Sequence, residues 1–209
     1  MSLLNRIVAL SALSLSLAIA APASANLIQN GSFEDDVIPG NSWQSFTDIT
    51  GWEADDNNER FEIWNNYNGE TAAEGNQFAE LNAHPGSTLP FSIFQEFTTA
   101  TNQSYDISFA YQARANDQEK FSFDVISGSD NLDWLLSDHT TNGWRIFSES
   151  FVAAGTTTKI MFTSVNPLTG TVGNFLDDVR VTATVPEPGT LGLLSAGLIG
   201  LVAVRRRRA

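Results

Sequence analysis

The sequence predicts an all-β protein built around a single β-sandwich of the jelly-roll type, and three observations predict it. Roughly ten short runs alternate apolar and polar residues, which is the two-residue period of a half-buried strand. Clusters of Gly, Asn, Asp, Ser and Pro separate these runs. Between the two terminal segments no stretch has sustained helical periodicity, so segment 26–184 favours one sandwich over two domains.

The first element is a secretory signal peptide over residues 1–25. Arg6 supplies its positive charge, an uninterrupted run of apolar and small residues covers 7–21, and Ala23-Ser24-Ala25 fits the small-x-small cleavage pattern. Asn26 is then the first residue of the exported chain. A buried helix is the alternative, but position, charge and cleavage pattern together favour a signal helix that directs export.

Strands follow along the rest of the chain in a regular series. In the run that starts at Ser104, the apolar residues Tyr105, Ile107 and Phe109 alternate with more polar neighbours. Similar runs are FSIFQEFTT (91–99), KFSFDVIS (120–127), WRIFSESFVA (144–153), TKIMFTSV (158–165) and NFLDDVRVTATV (174–185). The acidic segment EADDNNER (53–60) is the clearest long loop.

The composition limits how this domain is stabilised and what it binds. The chain has no cysteine, so an exported domain of this size has to fold without disulfides. Between residues 26 and 184 six basic residues stand against 23 acidic ones, which gives a formal charge of −17. Such a surface repels the phosphates of nucleic acids, attracts divalent cations and suits a neutral ligand better than an anionic one.

Tryptophans are the first candidates for a sugar-binding site. Sugars present apolar C–H faces and many hydroxyls, so their sites combine flat aromatic rings with amide and carboxylate groups. Trp52 and Trp144 follow glycines at the starts of strands and are expected in the core. Trp43 and Trp134 lie near loops and are candidates for exposure.

Trp64 lies in the densest mixture of aromatic and amide residues in the chain. Its neighbours in sequence are Glu62, Asn65, Asn66 and Tyr67. The predicted binding face combines residues from three runs, namely Trp64, Tyr67, Glu80, Asn82 and Gln95. The alternative for each of them is an ordinary packing residue or a polar rim. Exposure of Trp64 and Tyr67 in a groove would favour binding, and their burial would favour the alternative.

Signals for catalysis are weak, and we predict that the protein is not an enzyme. The absence of cysteine excludes a thiol nucleophile, and no G-x-S-x-G motif is present. His84 and His139 resemble turn residues and have no spacing that favours zinc. Paired carboxylates could cleave a glycosidic bond, but no pair among the 23 acids stands out.

Three motifs carry a resemblance to known proteins. They are NLIQNGSFEDD (26–36), ITGWEA (49–54) and NFLDDVRV (174–181). Together they resemble the galactose-binding-like jelly rolls of many carbohydrate-binding modules. The segment from RFEIWNN to FSIFQEFTT (60–99) is similar to bacterial extracellular proteins related to the DUF642 group. The resemblance covers most of the domain and implies a jelly roll that binds carbohydrate.

The same resemblance implies a structural calcium ion on Glu34 and one of two aspartates. The first and last strands of a jelly roll can lie side by side, which would bring Glu34 near Asp177 and Asp178, and carboxylates with backbone carbonyls suit Ca²⁺. Strand alternation places Asp177 on the face of Val179 and Val181, so Asp177 is the first choice and Asp178 the second. The alternative is that these acids are solvated turn residues or cap the ends of strands.

The C-terminal segment 185–209 predicts a short transmembrane helix. Residues 189–204 carry no charge and would span about 24 Å as a helix, close to the lower limit for a bilayer core. Four arginines, Arg205, Arg206, Arg207 and Arg208, follow and would hold that end in the cytoplasm.

Pro186, Glu187 and Pro188 precede that apolar span. Pro-Glu-Pro, an apolar span and a basic cluster together resemble the PEP-CTERM sorting signal. The resemblance implies a substrate of an exosortase-type membrane protease, inserted in the inner membrane as a precursor and then moved to the envelope surface or the extracellular matrix. The length of the span does not distinguish a removed signal from a retained anchor.

Three functions follow from these observations. The favoured one is an exported, surface-sorted, non-catalytic protein that binds extracellular polysaccharide. The second is a structural matrix or adhesion protein without a sugar site, which a flat exposed apolar patch would favour. The third is a glycan-cleaving enzyme, which would need two acids facing each other roughly 5–10 Å apart.

Overall fold

The computed structural model describes residues 25–54, 60–83 and 90–184, and these residues form eleven β-strands. The strands are β1 (Ser42–Phe46), β2 (Glu53–Ala54), β3 (Phe61–Asn65), β4 (Gln77–Glu80), β5 (Ser92–Thr98), β6 (Ser104–Gln112), β7 (Lys120–Ser127), β8 (Asp130–Leu136), β9 (Arg145–Val152), β10 (Thr157–Asn166) and β11 (Phe175–Ala183). No helix is present among them, so the predicted all-β class is confirmed.

The strands form two antiparallel sheets. One has six strands in the order β1-β3-β4-β11-β6-β9, and the other has five in the order β2-β5-β10-β7-β8. The two sheets form the predicted β-sandwich. The signal helix, the transmembrane helix and the sorting signal fall outside the described residues, within which no helix is long and apolar enough to cross a membrane.

Alternating apolar residues of both sheets meet in one core. Phe109 on β6 lies against Phe123 on β7 and Phe162 on β10, with ring centroids 4.9 and 5.0 Å apart. All three side chains are fully buried. Burial of aromatic rings from both sheets is the main source of stability in a domain without disulfides.

The start of the described chain pairs with its last strand. The Leu27 amide donates to the Val181 carbonyl at 2.8 Å, and the Val179 amide donates to the Gly31 carbonyl, also at 2.8 Å. A Cβ atom on Gly31 would lie 2.0 Å from the Val179 carbonyl oxygen. Glycine is therefore required in the Asn-Gly-x-Phe-Glu motif because the two backbones are in contact there.

A β-bulge in β11 makes the predicted orientation of Asp177 wrong. The register of β11 against β6 shifts between Asp177 and Arg180, and Asp178 has a positive φ of 49°. Val179 lies in the main core, but Asp177 is paired directly with Ala110, which lies on the opposite face from the core residue Phe109. The extra residue in the bulge reverses the alternation that simple strand periodicity assumes.

The outer face of the six-stranded sheet carries a second apolar cluster. Trp64, Phe78 and Phe175 are buried there, from β3, β4 and β11 respectively. Tyr67, Ala72 and Trp144 pack against them. Since Tyr67 and Ala72 belong to the loop 66–76 between β3 and β4, this loop covers part of a sheet face that would otherwise be exposed.

Candidate functional site

Two rows of side chains cross the outer face of the six-stranded sheet. In the first row, Trp43 on β1 lies directly opposite Trp64 on β3, which lies opposite Phe78 on β4. In the second row, Glu62 on β3 lies opposite Glu80 on β4. Cross-strand neighbours point to the same face, so the sheet brings aromatic rings and carboxyl groups together.

A cleft of about 290 Å³ opens beside these rows, and we call it the outer-face cleft. Its lining residues are Trp43, Glu62, Trp64, Tyr67, Asn68, Arg114 and Thr171. Trp43 is 39% exposed, whereas Trp64 is only 2% exposed. Trp43 therefore offers an accessible aromatic surface, and Trp64 forms the floor beneath it.

Polar contacts hold the ring of Trp64 in place. Its Nε1 donates to the Glu62 carboxylate at 2.8 Å. The Arg114 guanidinium lies over the ring, 4.8 Å from the centroid, and Tyr67 packs edge-on at 5.2 Å. A cation above an aromatic face and a buried N–H with a partner are both favourable, so the floor of the cleft is rigid.

Glu62, Glu80 and Arg114 form a cluster of charged groups under the cleft. Arg114 Nη1 donates to Glu80 Oε1 at 2.5 Å and to the Thr171 carbonyl at 2.9 Å. Burial, followed by the nearby Glu62 carboxylate, raises the pKa of Glu80 to about 9, although Arg114 opposes the shift. Burial therefore disfavours the charged form of Glu80, and its contact with Arg114 opposes this effect.

Two of the predicted binding residues have structural partners instead of facing the cleft. Asn82 is buried, adopts a positive φ of 71°, and donates from Nδ2 to the carbonyls of Pro167 and Val172. Gln95 is on β5 of the other sheet and exchanges two hydrogen bonds with the backbone of Gln29. Of the predicted face, the structure thus brings together Trp64, Tyr67 and the buried Glu80.

The predicted metal ligands surround the loop 66–76. Asp177 is buried, and its Oδ2 accepts the amides of Ala73 and Glu74 at 2.8 and 3.0 Å. Glu34 Oε1 accepts the amides of Asn76 and Gln77 at 2.5 and 2.6 Å. Both carboxylates therefore hold the same loop through its backbone.

Asp178 differs from these two acids. Its carboxylate accepts Arg180 Nε at 2.6 Å, and both side chains are partly exposed. Its backbone amide donates to Asp177 Oδ1 at 2.7 Å. Burial raises the pKa of Asp177 to about 8, against the opposing effect of its three N–H donors.

A Ca²⁺ ion bound by these acids would require an oxygen-rich coordination sphere. The described residues contain no group of three or more His, Cys, Asp or Glu side chains that could hold a metal ion. The partners of Glu34 and Asp177 are N–H donors, which complement a carboxylate without a metal. Any calcium here would need backbone carbonyls and water as its remaining ligands, and the calcium site stays a prediction.

Several residues of the outer-face cleft carried no recognisable sequence signal. Arg114 follows β6 and Thr171 lies just before β11, so only the folded sheet brings them beside Trp64. Trp43 was a candidate for exposure but did not belong to the predicted binding face. Its antiparallel pairing with Trp64 on the neighbouring strand would have identified it as part of the site.

The remaining aromatic candidates are structural. Trp52 is buried in the core, as expected, and stacks on Phe33 at 5.3 Å. Trp134 and Trp144 are half-buried, and Trp144 donates from Nε1 to the Thr71 carbonyl. His139 is buried beside aromatic rings instead of lying in an exposed turn, and burial lowers its pKa to about 4. His84 lies outside the described residues.

Two family models match this chain. One, described as the PEP-CTERM protein-sorting motif, covers residues 184–208. The other, described as DUF642, a protein family of unknown function, covers residues 26–182. No curated protein sequence matches the chain.

Solved structures with a similar fold include carbohydrate-binding modules. TmCBM61 in complex with β-1,4-galactotriose is 17% identical, with 77% of this chain and 100% of that chain covered and a TM-score of 0.45. The CBM22-1 xylan-binding domain from Paenibacillus barcinonensis Xyn10C is 16% identical, with 80% and 99% covered and a TM-score of 0.48. These identities and TM-scores are too low to transfer a ligand from those proteins to this chain. The ligand therefore has to be inferred from the residues that line the cleft.

Proposed function

This chain belongs to the DUF642 family, and we propose that it is an exported, non-catalytic protein that binds extracellular polysaccharide in its outer-face cleft. The observation that carries the proposal is the exposed ring of Trp43 beside Tyr67, above the polar groups of Glu62, Asn68 and Arg114. Aromatic rings stack on the C–H faces of sugars, and carboxylate, amide and guanidinium groups bind their hydroxyls.

Electrostatics favour a neutral sugar in this cleft. The domain carries a formal charge of −17, which disfavours the approach of a polyanion. Under the cleft, Arg114 is bonded to Glu80 and lies beside Glu62, so acidic and basic groups occur together. The cleft offers hydrogen-bond acceptors from Glu62 and Asn68 and donors from Asn68 and Arg114.

The sorting motif supports the location of this function. The PEP-CTERM match indicates a protein that is exported and sorted to the cell envelope. In our proposal an exosortase-type protease recognises Pro186, Glu187 and Pro188 while the chain is held in the inner membrane. The processed protein then acts at the envelope surface or in the extracellular matrix, where polysaccharide is available.

The cluster under the cleft supports binding over hydrolysis. A glycosidase needs one carboxyl that protonates the leaving oxygen and a second that attacks or activates water. The Glu80 side chain is fully buried and is bonded to Arg114 and to the Gly173 amide. Neither oxygen of this carboxyl is accessible. Glu80 and Arg114 therefore stabilise the floor of the cleft, and Glu80 does not reach a substrate.

The proposal is tested by binding to the polysaccharide of the producing cells. We expect saturable binding by the purified chain, and at least about a tenfold higher Kd for Trp43→Ala, because exposed aromatic residues dominate such sites. The Tm should fall only modestly, since Trp43 is 39% exposed and belongs to neither apolar cluster. Leu135→Ala is the matched control, because it removes an exposed apolar side chain from the other sheet.

Absence of binding by the folded chain would contradict the proposal. Equal losses of affinity in Trp43→Ala and in Leu135→Ala would place binding outside the cleft. Trp64→Ala is less informative, because Trp64 is buried and its removal would also unfold the second apolar cluster.

The second candidate is a structural matrix protein without a sugar site. Its support is the burial of Trp64 together with exposed apolar residues elsewhere, among them Ile146 and Val152 on β9. Under this candidate the sandwich contacts other proteins through those residues. The same binding experiment separates the two candidates, because a matrix protein of this kind would not bind the polysaccharide.

We also propose that a structural Ca²⁺ stabilises the clasp formed by Glu34 and Asp177. Burial of Asp177 without a basic side chain bonded to it supports the proposal, because a cation would lower the cost of its charge. The two carboxylates hold one loop, so an ion bound there would lock it in place. The function of this ion would be stability and not chemistry.

A further inference from the structure

Strand β9 is the outermost strand of the six-stranded sheet and has one free edge. It pairs with β6 on one side, and none of its residues has a strand partner on the other side within the described part of the chain. Six of its eight residues are exposed, including Ile146 at 65% and Val152 at 55%. An edge of this kind presents unpaired N–H and C=O groups to a partner strand.

The other edges of the sandwich are better protected, as far as the structure describes them. Strands β1 and β2 have five and two residues and offer little length for pairing. Strand β8 carries Asp130 and Asp133, which repel a second copy of an acidic protein. Strand β9 has neither proline nor lysine, and its charged residues are one of each sign, Arg145 and Glu149.

The charge pattern of β9 is complementary to itself. An antiparallel pair of β9 strands with its twofold axis at Phe147 places Arg145 of each copy opposite Glu149 of the other. Opposite charges on directly paired residues stabilise a sheet, and like charges destabilise it. A register centred on Glu149 would instead oppose two carboxylates, so the charges select the first register. The existing contact of Arg145 with Asp138 is largely exposed, so it competes weakly.

We propose that this protein dimerises through β9, so that two six-stranded sheets join edge to edge into one sheet of twelve strands. The interface is isologous, because each copy contributes the same strand. The twofold axis is perpendicular to the sheet, so both outer faces lie on the same side. If the proposed function holds, the two clefts then face one polysaccharide surface, and binding gains from two attachment points.

The test is sedimentation velocity of the full chain in mild detergent, over a range of protein concentrations. Arg145→Glu and Glu149→Arg each create two like-charge pairs across the axis, so each is expected to weaken dimerisation at least about tenfold. The double variant restores opposite charges and is expected to dimerise like the wild type. An equimolar mixture of the two single variants is expected to form heterodimers, because its strands are again complementary.

A matched control separates pairing from overall charge. Glu96→Arg makes the same change in net charge as Glu149→Arg, but on β5, an interior strand of the other sheet, and is expected to leave the dimer unchanged. A monomeric wild type, or single variants that dimerise like the wild type, would overturn the proposal. Because this readout uses no glycan, its failure is distinguishable from a failure of polysaccharide binding.

Discussion

Two buried carboxyl groups, Glu80 and Asp177, lie on the outer face of the same sheet but have different partners. Glu80 is bonded to the side chain of Arg114 and to one backbone amide, and it lies opposite Glu62. Within the described residues, the Asp177 carboxylate is bonded to three backbone amides, those of Ala73, Glu74 and Asp178, and to no side chain. Arg114 and Glu62, the side-chain neighbours of Glu80, also line the outer-face cleft. Two of the backbone partners of Asp177 belong instead to the loop 66–76, so Asp177 holds that loop.

The comparison indicates how one sheet face serves two purposes. Burial raises the pKa of both groups, to about 9 for Glu80 and about 8 for Asp177. The cluster around Glu80 contains both an acid and a base, so it balances its own charge. Asp177 has no side-chain base bonded to it in the part of the chain that the structure describes, so backbone N–H dipoles oppose the cost of its charge, as the proposed cation would.

Removal of the Asp177 carboxylate should have the largest effect. Asp177→Ala leaves three backbone N–H groups without an acceptor, so we expect the free energy of unfolding to fall by about 3 kcal/mol. Urea unfolding measures it. Asp178→Asn is the control, because asparagine tolerates the positive φ and only a partly exposed ion pair is lost, worth less than about 1 kcal/mol. Equal losses in the two variants would contradict the clasp.

Calcium should have the next largest effect if the proposed ion binds. At a calcium concentration about a hundredfold above Kd, binding to the folded state alone adds about 2.7 kcal/mol. We expect the Tm of the wild type to rise with calcium and fall with EDTA, and Asp177→Asn to lose this response. Glu80→Gln, which changes the other buried carboxyl, should keep it. An unchanged Tm of the wild type in calcium and in EDTA would sink the proposal.

The pH dependence should separate the two carboxyls with a smaller effect. Both folded pKa values are raised, so the stability from the protonated groups is fully present at low pH and is lost as pH rises toward 8 and 9. We expect a fall of at most about 1.4 kcal/mol per pH unit for each group above pH 6.5. The shift of His139 acts only below that pH, where its protonation destabilises the fold.

Measuring unfolding between pH 6.5 and 9.5 without calcium tests this expectation. Asp177→Asn should halve the slope below pH 8 and keep the slope between pH 8 and 9, whereas Glu80→Gln should halve the slope below pH 8 and flatten the profile above it. With saturating calcium, the wild type should keep only the slope due to Glu80, since a bound cation holds Asp177 ionised. A flat wild-type profile would show that neither carboxyl is protonated in the folded protein.

The sandwich was predictable because strand alternation is local. Tyr105, Ile107 and Phe109 on β6, and Phe121 and Phe123 on β7, all lie in the core as their two-residue period indicates. Strand periodicity predicted the wrong face for Asp177, because the bulge in β11 adds one residue. No pattern in the neighbouring residues indicates that bulge.

The candidate site was only partly predictable because pairing between strands creates it. Trp64 and Tyr67 are neighbours in sequence, so their clustering was visible without a structure. Trp43 and Arg114 reach the cleft from distant parts of the chain, and Gln95 leaves it because β5 belongs to the other sheet. Residue type alone does not say which sheet a strand joins.

The position of β11 would have a mechanical consequence in a form of the protein that is attached to the envelope through its C-terminus. This last strand lies inside the six-stranded sheet, between β4 and β6, and it continues toward the sorting segment. A pull on that end therefore acts along a strand that is bonded on both sides. In that form the β6–β11 hydrogen bonds would share such a load in shear instead of opening one after another.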